Sequence, residues 1–302
     1  MNFSEPENPL PPENARESER AGEPSAEFPG GASPQFPGPP SPPQPKNFPE
    51  DIRTPWGGGE LLLLLGFAIG SLFFLDTILE LFLIAHYHLN RAQLMHLVRD
   101  NAGVAVGFQA LWSGVIFLFL FLMIRQYNGA PFWASLRWRA LRPKNRPPAL
   151  IYTSCIFGGI ALAVLVGIFS RFAGQTKNLP IEKLFQTRSD IIWFAAFGIC
   201  VAPFFEETIF RGYLYPVFAR KMGIPLGIFV TGLLFGLMHA VQLWGGWAQI
   251  AMLIFVGIVL TAARARTGSV LASYLIHLSY NSFLFFGYFV ATSGLKNIPH
   301  VH

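Results

Sequence analysis

The sequence predicts an all-α integral membrane protein: a bundle of about seven (six to eight) transmembrane helices preceded by a disordered, Pro-rich N-terminal tail. Composition supports this class, because 52% of the residues are hydrophobic, 13% are charged and the mean hydropathy is +0.41. From residue 58 onward, apolar segments recur with roughly the 20 residues that a spanning helix needs. Before that point the chain offers almost no aliphatic side chains to a core.

Residues 1–57 form the predicted tail, and residues 58–302 form the predicted polytopic membrane domain. Runs such as Pro37–Pro43 are typical of disordered or polyproline-like chain, because they contain too few apolar groups to fold. We expect the tail to be flexible and deletion of residues 2–50 to leave activity intact. Recognition of the prolines by a partner is the alternative.

Seven apolar segments are candidate spans. In chain order they are Leu61–Ala85, Ala102–Ile124, Ala149–Phe169, Ile191–Phe210, Gly223–Val241, Ile250–Ala263 (starting near Gly246) and Val270–Thr292. The amphipathic stretch Phe132–Arg139 predicts a helix at the level of the lipid headgroups. In the first span, Asp76 and Glu80 either line a water-filled entrance or are solvated at the interface.

Lysine and arginine predict the orientation, because cytoplasmic loops keep the positive excess. Ten of them fall on one side by alternation: Arg125, Arg137, Arg139, Arg142, Lys144, Arg146, Arg220, Lys221, Arg264 and Arg266. We therefore expect a cytoplasmic N-terminus. The net charge of +5 follows from topology and anionic headgroups, so the expected partner is the lipid bilayer and no nucleic acid is implied. Size and the lack of a retrieval signal favour a prokaryotic plasma membrane.

Two adjacent carboxylates, Glu206 and Glu207, lie inside an apolar stretch. A charged side chain at mid-membrane depth costs about 2.5–3.5 kcal/mol on insertion scales, so the pair needs partners or a function. On a helix Glu207 and Arg211 are four residues apart and share a face, which favours an ion pair. Glu206 points about 100° away and keeps a free carboxylate, as a general base for water activation requires.

Later apolar segments carry further polar side chains. His239 follows Phe235 by one helical turn, and His277 and Asn281 are again four residues apart. Ser273 and Ser279 lie nearby, as hydroxyl groups commonly do between membrane helices. Polar groups of complementary chemistry on three spans predict one site or one conducting path.

Serine and cysteine nucleophiles lack a suitable setting. The sequence has no Gly-x-Ser-x-Gly elbow, and Cys155 and Cys200 fall within apolar runs without a metal-binding or disulfide spacing. His-Glu-x-x-His, which would place two imidazoles one turn apart on a helix, is also missing from the sequence. Two Glu and two His can nevertheless bind Zn²⁺, so zinc stays an alternative to metal-free catalysis.

Three motifs in order resemble those of the CAAX-protease and bacteriocin-processing family of intramembrane endopeptidases. Glu206, Glu207 and Arg211 match Glu-Glu-x-x-x-Arg, Phe235 and His239 match Phe-x-x-x-His, and His277 and Asn281 match His-x-x-x-Asn. The resemblance covers a core at about residues 190–285.

The resemblance implies hydrolysis of a peptide bond in a membrane-associated peptide or protein substrate, of which a lipidated, CAAX-like substrate is one form, without a covalent enzyme intermediate. In this hypothesis Glu206 and His239 polarise the water, Arg211 holds Glu207, and His277 and Asn281 stabilise the oxyanion. No cofactor is required. The alternatives are a proton-coupled membrane transporter and a non-catalytic membrane scaffold or immunity protein of the same fold.

Overall fold

The computed structural model describes residues 48–90, 93, 97, 101–142, 147–173, 179, 184 and 187–298. This part of the chain is helical and contains no strand. The α-helices are α1 (Gly58–Tyr87), α2 (Ala102–Leu122), α3 (Phe132–Ser135), α4 (Pro148–Ala173), α5 (Arg188–Ala196), α6 (Ala202–Glu207), α7 (Tyr215–Met222), α8 (Ile224–Met238), α9 (Trp247–Thr267) and α10 (Val270–Ala291).

Within the described ranges, six helical segments are long and apolar enough to cross a membrane. They are Gly58–Tyr87, Ala102–Tyr127, Pro148–Phe172, Arg188–Met222, Trp247–Thr267 and Val270–Ala291. The predicted span Gly223–Val241 instead contains the 15-residue helix α8, which begins after a left-handed glycine, Gly223 (φ 85°), and ends at Met238. The prediction of an all-α membrane bundle is confirmed, and the six candidate spans of the described residues fall within the predicted six to eight transmembrane helices.

Helices α5, α6 and α7 form one long segment joined by two π-helical turns, Phe197–Val201 and Thr208–Leu214. Pro203 follows the first turn at the beginning of α6. A proline in a helix interior removes a hydrogen-bond donor and collides with the carbonyl four residues earlier, and a π turn is one way to absorb both effects. Because π turns are frequent at functional sites, this segment is a candidate location for one.

Glycines bring neighbouring helices close together. A Cβ atom at Gly232 of α8 would lie 2.6 Å from the backbone nitrogen of Ile258 in α9, and one at Gly236 would lie 2.7 Å from that of Ile254. Gly159 of α4 packs in the same way against Ile276 of α10. Small residues at such positions let membrane helices approach closely enough for van der Waals packing to hold them together.

The predicted tail is described only over its last ten residues. Residues 1–47, and with them the expected flexibility, lie outside the described residues. We call Phe48–Gly57 the strap: it makes a 3₁₀ turn at Glu50–Ile52 and buries Ile52 and Trp56, the latter stacked on Tyr213 at 4.9 Å between ring centroids. This part of the tail is therefore packed against the helices.

Two further expectations concern single segments. The amphipathic stretch Phe132–Arg139 contains the short helix α3, but Phe132 and Leu136 are buried in the core, so its apolar side faces protein. Asp76 and Glu80 are both exposed on α1.

Candidate active site

Four helical segments supply the six side chains that the sequence singled out. Glu206 and Glu207 end α6, and Arg211 lies in the π-helical turn that follows. His239 terminates α8 as its C-cap residue, while His277 and Asn281 project from α10. Five of the six meet in one cluster, and Asn281 contacts the backbone beside it.

The innermost part of the cluster is an ion pair. Nη1 of Arg211 donates to Oε1 of Glu207 over 2.8 Å, and both side chains are 0% exposed. The pair keeps the i, i+4 geometry that the sequence predicted. Buried charges of this kind persist only when each is paired and hydrogen-bonded, so Arg211 requires further partners for its remaining donors.

Arg211 makes three further contacts that sequence reasoning missed. Its Nε donates to Oγ1 of Thr261 over 3.2 Å, its Nη2 donates to the carbonyl oxygen of Gly257 over 2.9 Å, and its guanidinium carbon lies 4.4 Å from the ring centroid of Phe235. One sequence feature could have indicated these contacts: a small residue, Gly257, and a polar residue, Thr261, lie four residues apart within the apolar span of α9. The guanidinium is thus fixed from α9 as well as from its own helix.

His277 lies between the two glutamates. Its Nδ1 donates to Oε1 of Glu207 over 3.0 Å, because a carboxylate can only accept, and its Nε2 lies 3.7 Å from Oε2 of Glu206. The ring also stands edge-on to Phe235, 5.7 Å between centroids. The contact with Glu207 therefore fixes the orientation of the His277 ring.

Glu206 faces a second imidazole. Nε2 of His239 lies 4.0 Å from Oε1 of Glu206, while Nδ1 of His239 donates to the carbonyl oxygen of Phe235 over 2.9 Å. With the proton on Nδ1, a neutral His239 presents a lone pair on Nε2 toward Glu206. The side chains of Glu206 and His239 are 26% and 25% exposed, so this face of the cluster is the accessible one.

Asn281 does not bond to the other five residues. Its Nδ2 donates to the carbonyl oxygen of Gly198 over 2.6 Å, in the π-helical turn that precedes α6. On the same helix, the hydroxyl of Tyr274 donates to the carbonyl oxygen of Cys200 over 3.4 Å. Helix α10 is thus connected to the acid-bearing helix through two backbone carbonyls as well as through His277.

A group of aromatic side chains packs around Thr208. Trp138 donates through Nε1 to Oγ1 of Thr208 over 3.0 Å and lies 5.4 Å, between ring centroids, from both Phe204 and Tyr274. Trp133 continues this group toward the outside and is 48% exposed. This aromatic group is joined to the acid-bearing segment through Thr208, the residue that follows Glu207.

The cysteines and serines that the sequence offered as alternative nucleophiles have ordinary surroundings. Cys155 is buried and Cys200 exposed, and both are free thiols. The hydroxyls of Ser273 and Ser279 donate to backbone carbonyls of their own helix. Ser273 is also a hydrogen-bonding neighbour of the buried Glu207 carboxylate, which places its hydroxyl in support of that carboxylate.

The fold and the site together define a polytopic membrane protein with a carboxylate and imidazole cluster enclosed by its helices. Residues 188–283 match the model of the family described as "Type II CAAX prenyl endopeptidase Rce1-like". The chain is also 32% identical over 150 residues to an Escherichia coli protein described as "Uncharacterized 24.3 kDa protein", a match that covers 47% of this chain and 67% of that one. No solved structure matches significantly.

The chain belongs to the Rce1-like family. Family membership implies a protease that acts within a membrane, and the apolar helices show an integral membrane protein. The matched residues 188–283 contain all six side chains described above.

Proposed function

We propose that this protein is an intramembrane endopeptidase that hydrolyses a peptide bond of a membrane-associated, lipidated or amphipathic substrate through a water activated by Glu206 and His239. The observation that carries the proposal is that each carboxylate oxygen of Glu206 faces the Nε2 atom of a different histidine, at 4.0 and 3.7 Å. Both separations are longer than a direct hydrogen bond and suit a bridging water.

Glu206 is the better base of the two glutamates. Glu207 is fully buried and engaged by Arg211 and His277, whereas Glu206 is partly exposed and has no cation within direct hydrogen-bonding distance. A water between Glu206 and His239 would donate one O–H to the carboxylate and the other to Nε2. As its oxygen attacks the scissile carbonyl, Glu206 takes one proton and later transfers it to the leaving amine.

The negative charge that develops on the carbonyl oxygen needs donors. When both of its ring nitrogens are protonated, His277 would present Nε2–H toward Glu206 and the adjacent substrate. Asn281 supplies an amide whose Nδ2 carries two hydrogens, of which Gly198 accepts one. Removing one such donor from a known protease costs about 2.7–4 kcal/mol of transition-state stabilisation.

Catalysis without a metal is part of the proposal. Across the described residues, no three side chains of His, Cys, Asp and Glu stand close enough together to hold a metal ion. Both Nδ1 atoms are already hydrogen-bonded, and the two Nε2 atoms lie 3.7 and 4.0 Å from the Glu206 oxygens. These observations support a metal-free mechanism, and no step of the proposal is routed through a zinc ion.

A cytoplasmic strap and N-terminus are also proposed, on the grouping of basic residues. Arg137, Arg220 and Arg264 come from three different connections and all contact the strap, through Glu50, Ile52 and Asp51 respectively. Their convergence at one end of the bundle agrees with the positive-inside assignment of those loops. Labelling of single cysteines in sealed vesicles, on the strap and at residue 295, tests this orientation.

The central experiment is cleavage of a panel of lipidated and unlipidated peptides by purified protein in proteoliposomes, with wild type, Glu206→Gln and His239→Ala, each with and without a zinc chelator. We expect wild type to cleave at least one lipidated peptide and both variants to lose activity. Retained cleavage by Glu206→Gln would refute the proposed base. If cleavage were lost with the chelator and activity followed a stoichiometric zinc content, the metal-free mechanism would be wrong and a zinc-dependent one would take its place.

Two other outcomes separate the alternative functions. Uptake of a solute driven by a pH gradient, surviving both Glu206→Gln and Asn281→Ala, would indicate a transporter that does not use this site. Full complementation of a deletion phenotype by Glu206→Gln would indicate a scaffold.

A further inference from the structure

The backbone carbonyl of Gly198 lacks the donor that its helix would normally supply. In the π-helical turn Phe197–Val201, the N–H of Ala202 donates to the carbonyl of Phe197, five residues back. The next bond in that series would run from residue 203 to the carbonyl of Gly198. Residue 203 is a proline and has no N–H, so the series stops there.

Asn281 fills that position from another helix. Its Nδ2 lies 2.6 Å from the carbonyl oxygen of Gly198, and Pro203 is buried. A carbonyl oxygen can only accept, so this contact fixes which end of the Asn281 amide faces Gly198. The amide plane is thereby oriented, and with it the second N–H of Nδ2.

We propose that Pro203 is a positioning residue for Asn281. Because Pro203 has no N–H, the Gly198 carbonyl accepts its hydrogen bond from the Asn281 amide instead. This bond orients the amide so that its remaining N–H points toward the reacting carbonyl. This inference rests on the proposed function, in which Asn281 stabilises the oxyanion. Pro203 touches neither water nor substrate in this scheme and acts only through Gly198 and Asn281. The link between Pro203 and Asn281 is the carbonyl oxygen of Gly198, which accepts a hydrogen bond from the Asn281 amide.

A simpler role for Pro203 would be to shape the helix, with Asn281 merely fastening α10 to it. The two roles differ in what Pro203→Ala does. An alanine brings its own N–H to the Gly198 carbonyl and competes with the Asn281 amide, so stability is maintained while the amide loses its fixed orientation. Because misplacement of a catalytic group by about 1 Å can reduce the rate about 10²-fold, the effect should appear in kcat.

The test uses full-length Pro203→Ala, Asn281→Ala and the double variant, in the proteoliposome assay with a peptide that the wild type cleaves. We expect Pro203→Ala to lower kcat by about 10- to 100-fold with KM within about twofold. In the Asn281→Ala background, Pro203→Ala should have no further effect on kcat. It should, however, raise the Tm that Asn281→Ala lowers, since the new N–H satisfies the Gly198 carbonyl.

Pro225→Ala is the matched control. Pro225 lies in the first turn of α8, where backbone N–H groups have no partner within the helix, so its replacement should leave kcat unchanged. Unchanged kcat in folded Pro203→Ala would overturn the inference while leaving the proposed protease intact. So would kcat losses that add in the double variant. Absence of cleavage by wild type or retained cleavage by Glu206→Gln would refute the proposed function instead.

Discussion

Nδ1 of His277 lies 3.0 Å from Oε1 of Glu207, inside the bundle, where the two side chains are 5% and 0% exposed. The same carboxylate oxygen also receives Nη1 of Arg211. Glu207 therefore holds two cationic or potentially cationic groups at once, and its adjacent neighbour Glu206 is left to face the open side. The pair is thus divided into a buried, paired carboxylate, Glu207, and an accessible one, Glu206, and the predictions for the site follow from this difference.

Replacement of His277 by alanine should reduce activity strongly, because it removes both the proposed oxyanion donor and a partner of Glu207. We expect a loss of roughly 10²- to 10³-fold in kcat, measured with the peptide used for wild type. Tyr274→Phe on the same helix is the control, since it removes only a 3.4 Å contact of its hydroxyl with the Cys200 carbonyl. Equal losses in both variants would mean that α10 was displaced generally.

Arg211→Met should lower the stability of the protein as well as abolish its activity. Removing one partner of a buried ion pair typically costs about 3–5 kcal/mol, because the other charge is left uncompensated. Thermal unfolding in detergent should therefore show a clear decrease in Tm. The double variant Arg211→Met with Glu207→Gln should recover part of this decrease, and a double variant no more stable than the single one would argue against the pair as the cause.

Two adjacent glycines of α4 should respond in opposite ways to alanine. A Cβ atom at Gly159 would overlap the backbone of α10 at Ile276, whereas one at Gly158 meets nothing within 4 Å. We expect Gly159→Ala to lower Tm and to impair cleavage, since α10 carries His277. Gly158→Ala should be neutral or stabilising by about 0.5–1 kcal/mol, as for alanine in place of glycine within a helix. Identical behaviour would contradict the packing of α4 on α10.

Acidification should weaken the strap. Arg137 donates to Oε1 of Glu50 over 2.9 Å and holds the pKa of that carboxyl below its ordinary value. A lowered pKa in the folded state means that this stabilisation is present at neutral pH and decreases as the pH falls through the lowered value. The protection of residues 48–57 from hydrogen exchange, relative to the intrinsic rate at each pH, should decrease correspondingly. In Glu50→Gln this protection should be lower at neutral pH and less dependent on pH in the acid range.

The order of the three motifs and the apolar segments that carry them could be read from the sequence. Hydrophobic length and the cost of buried charge are local properties, so they predicted the membrane class and the residues from Glu206 to Asn281. The i, i+4 pairing of Glu207 with Arg211 was likewise predictable, since it depends on one helix alone. Their catalytic roles stay predictions until variants are assayed.

Other features depended on how the helices pack. Periodicity could not foresee that α8 would stop after 15 residues, that Thr261 and Gly257 of α9 would receive Arg211, or that the end of the Pro-rich tail would dock through Trp56. These contacts join residues far apart in the chain, and nothing in the local pattern of either partner specifies the other.

By itself, then, the sequence determined a membrane-embedded helical protein with a polar cluster of known composition, because transfer free energies act on each segment independently. Tertiary structure alone decided which glutamate is anchored and which is accessible, and which carbonyl Asn281 contacts. Those outcomes follow from the distances between helices and from backbone carbonyls that the π-helical turn and Pro203 leave without a donor in their own helix. Side chains of other helices reach these groups only once the helices are packed together.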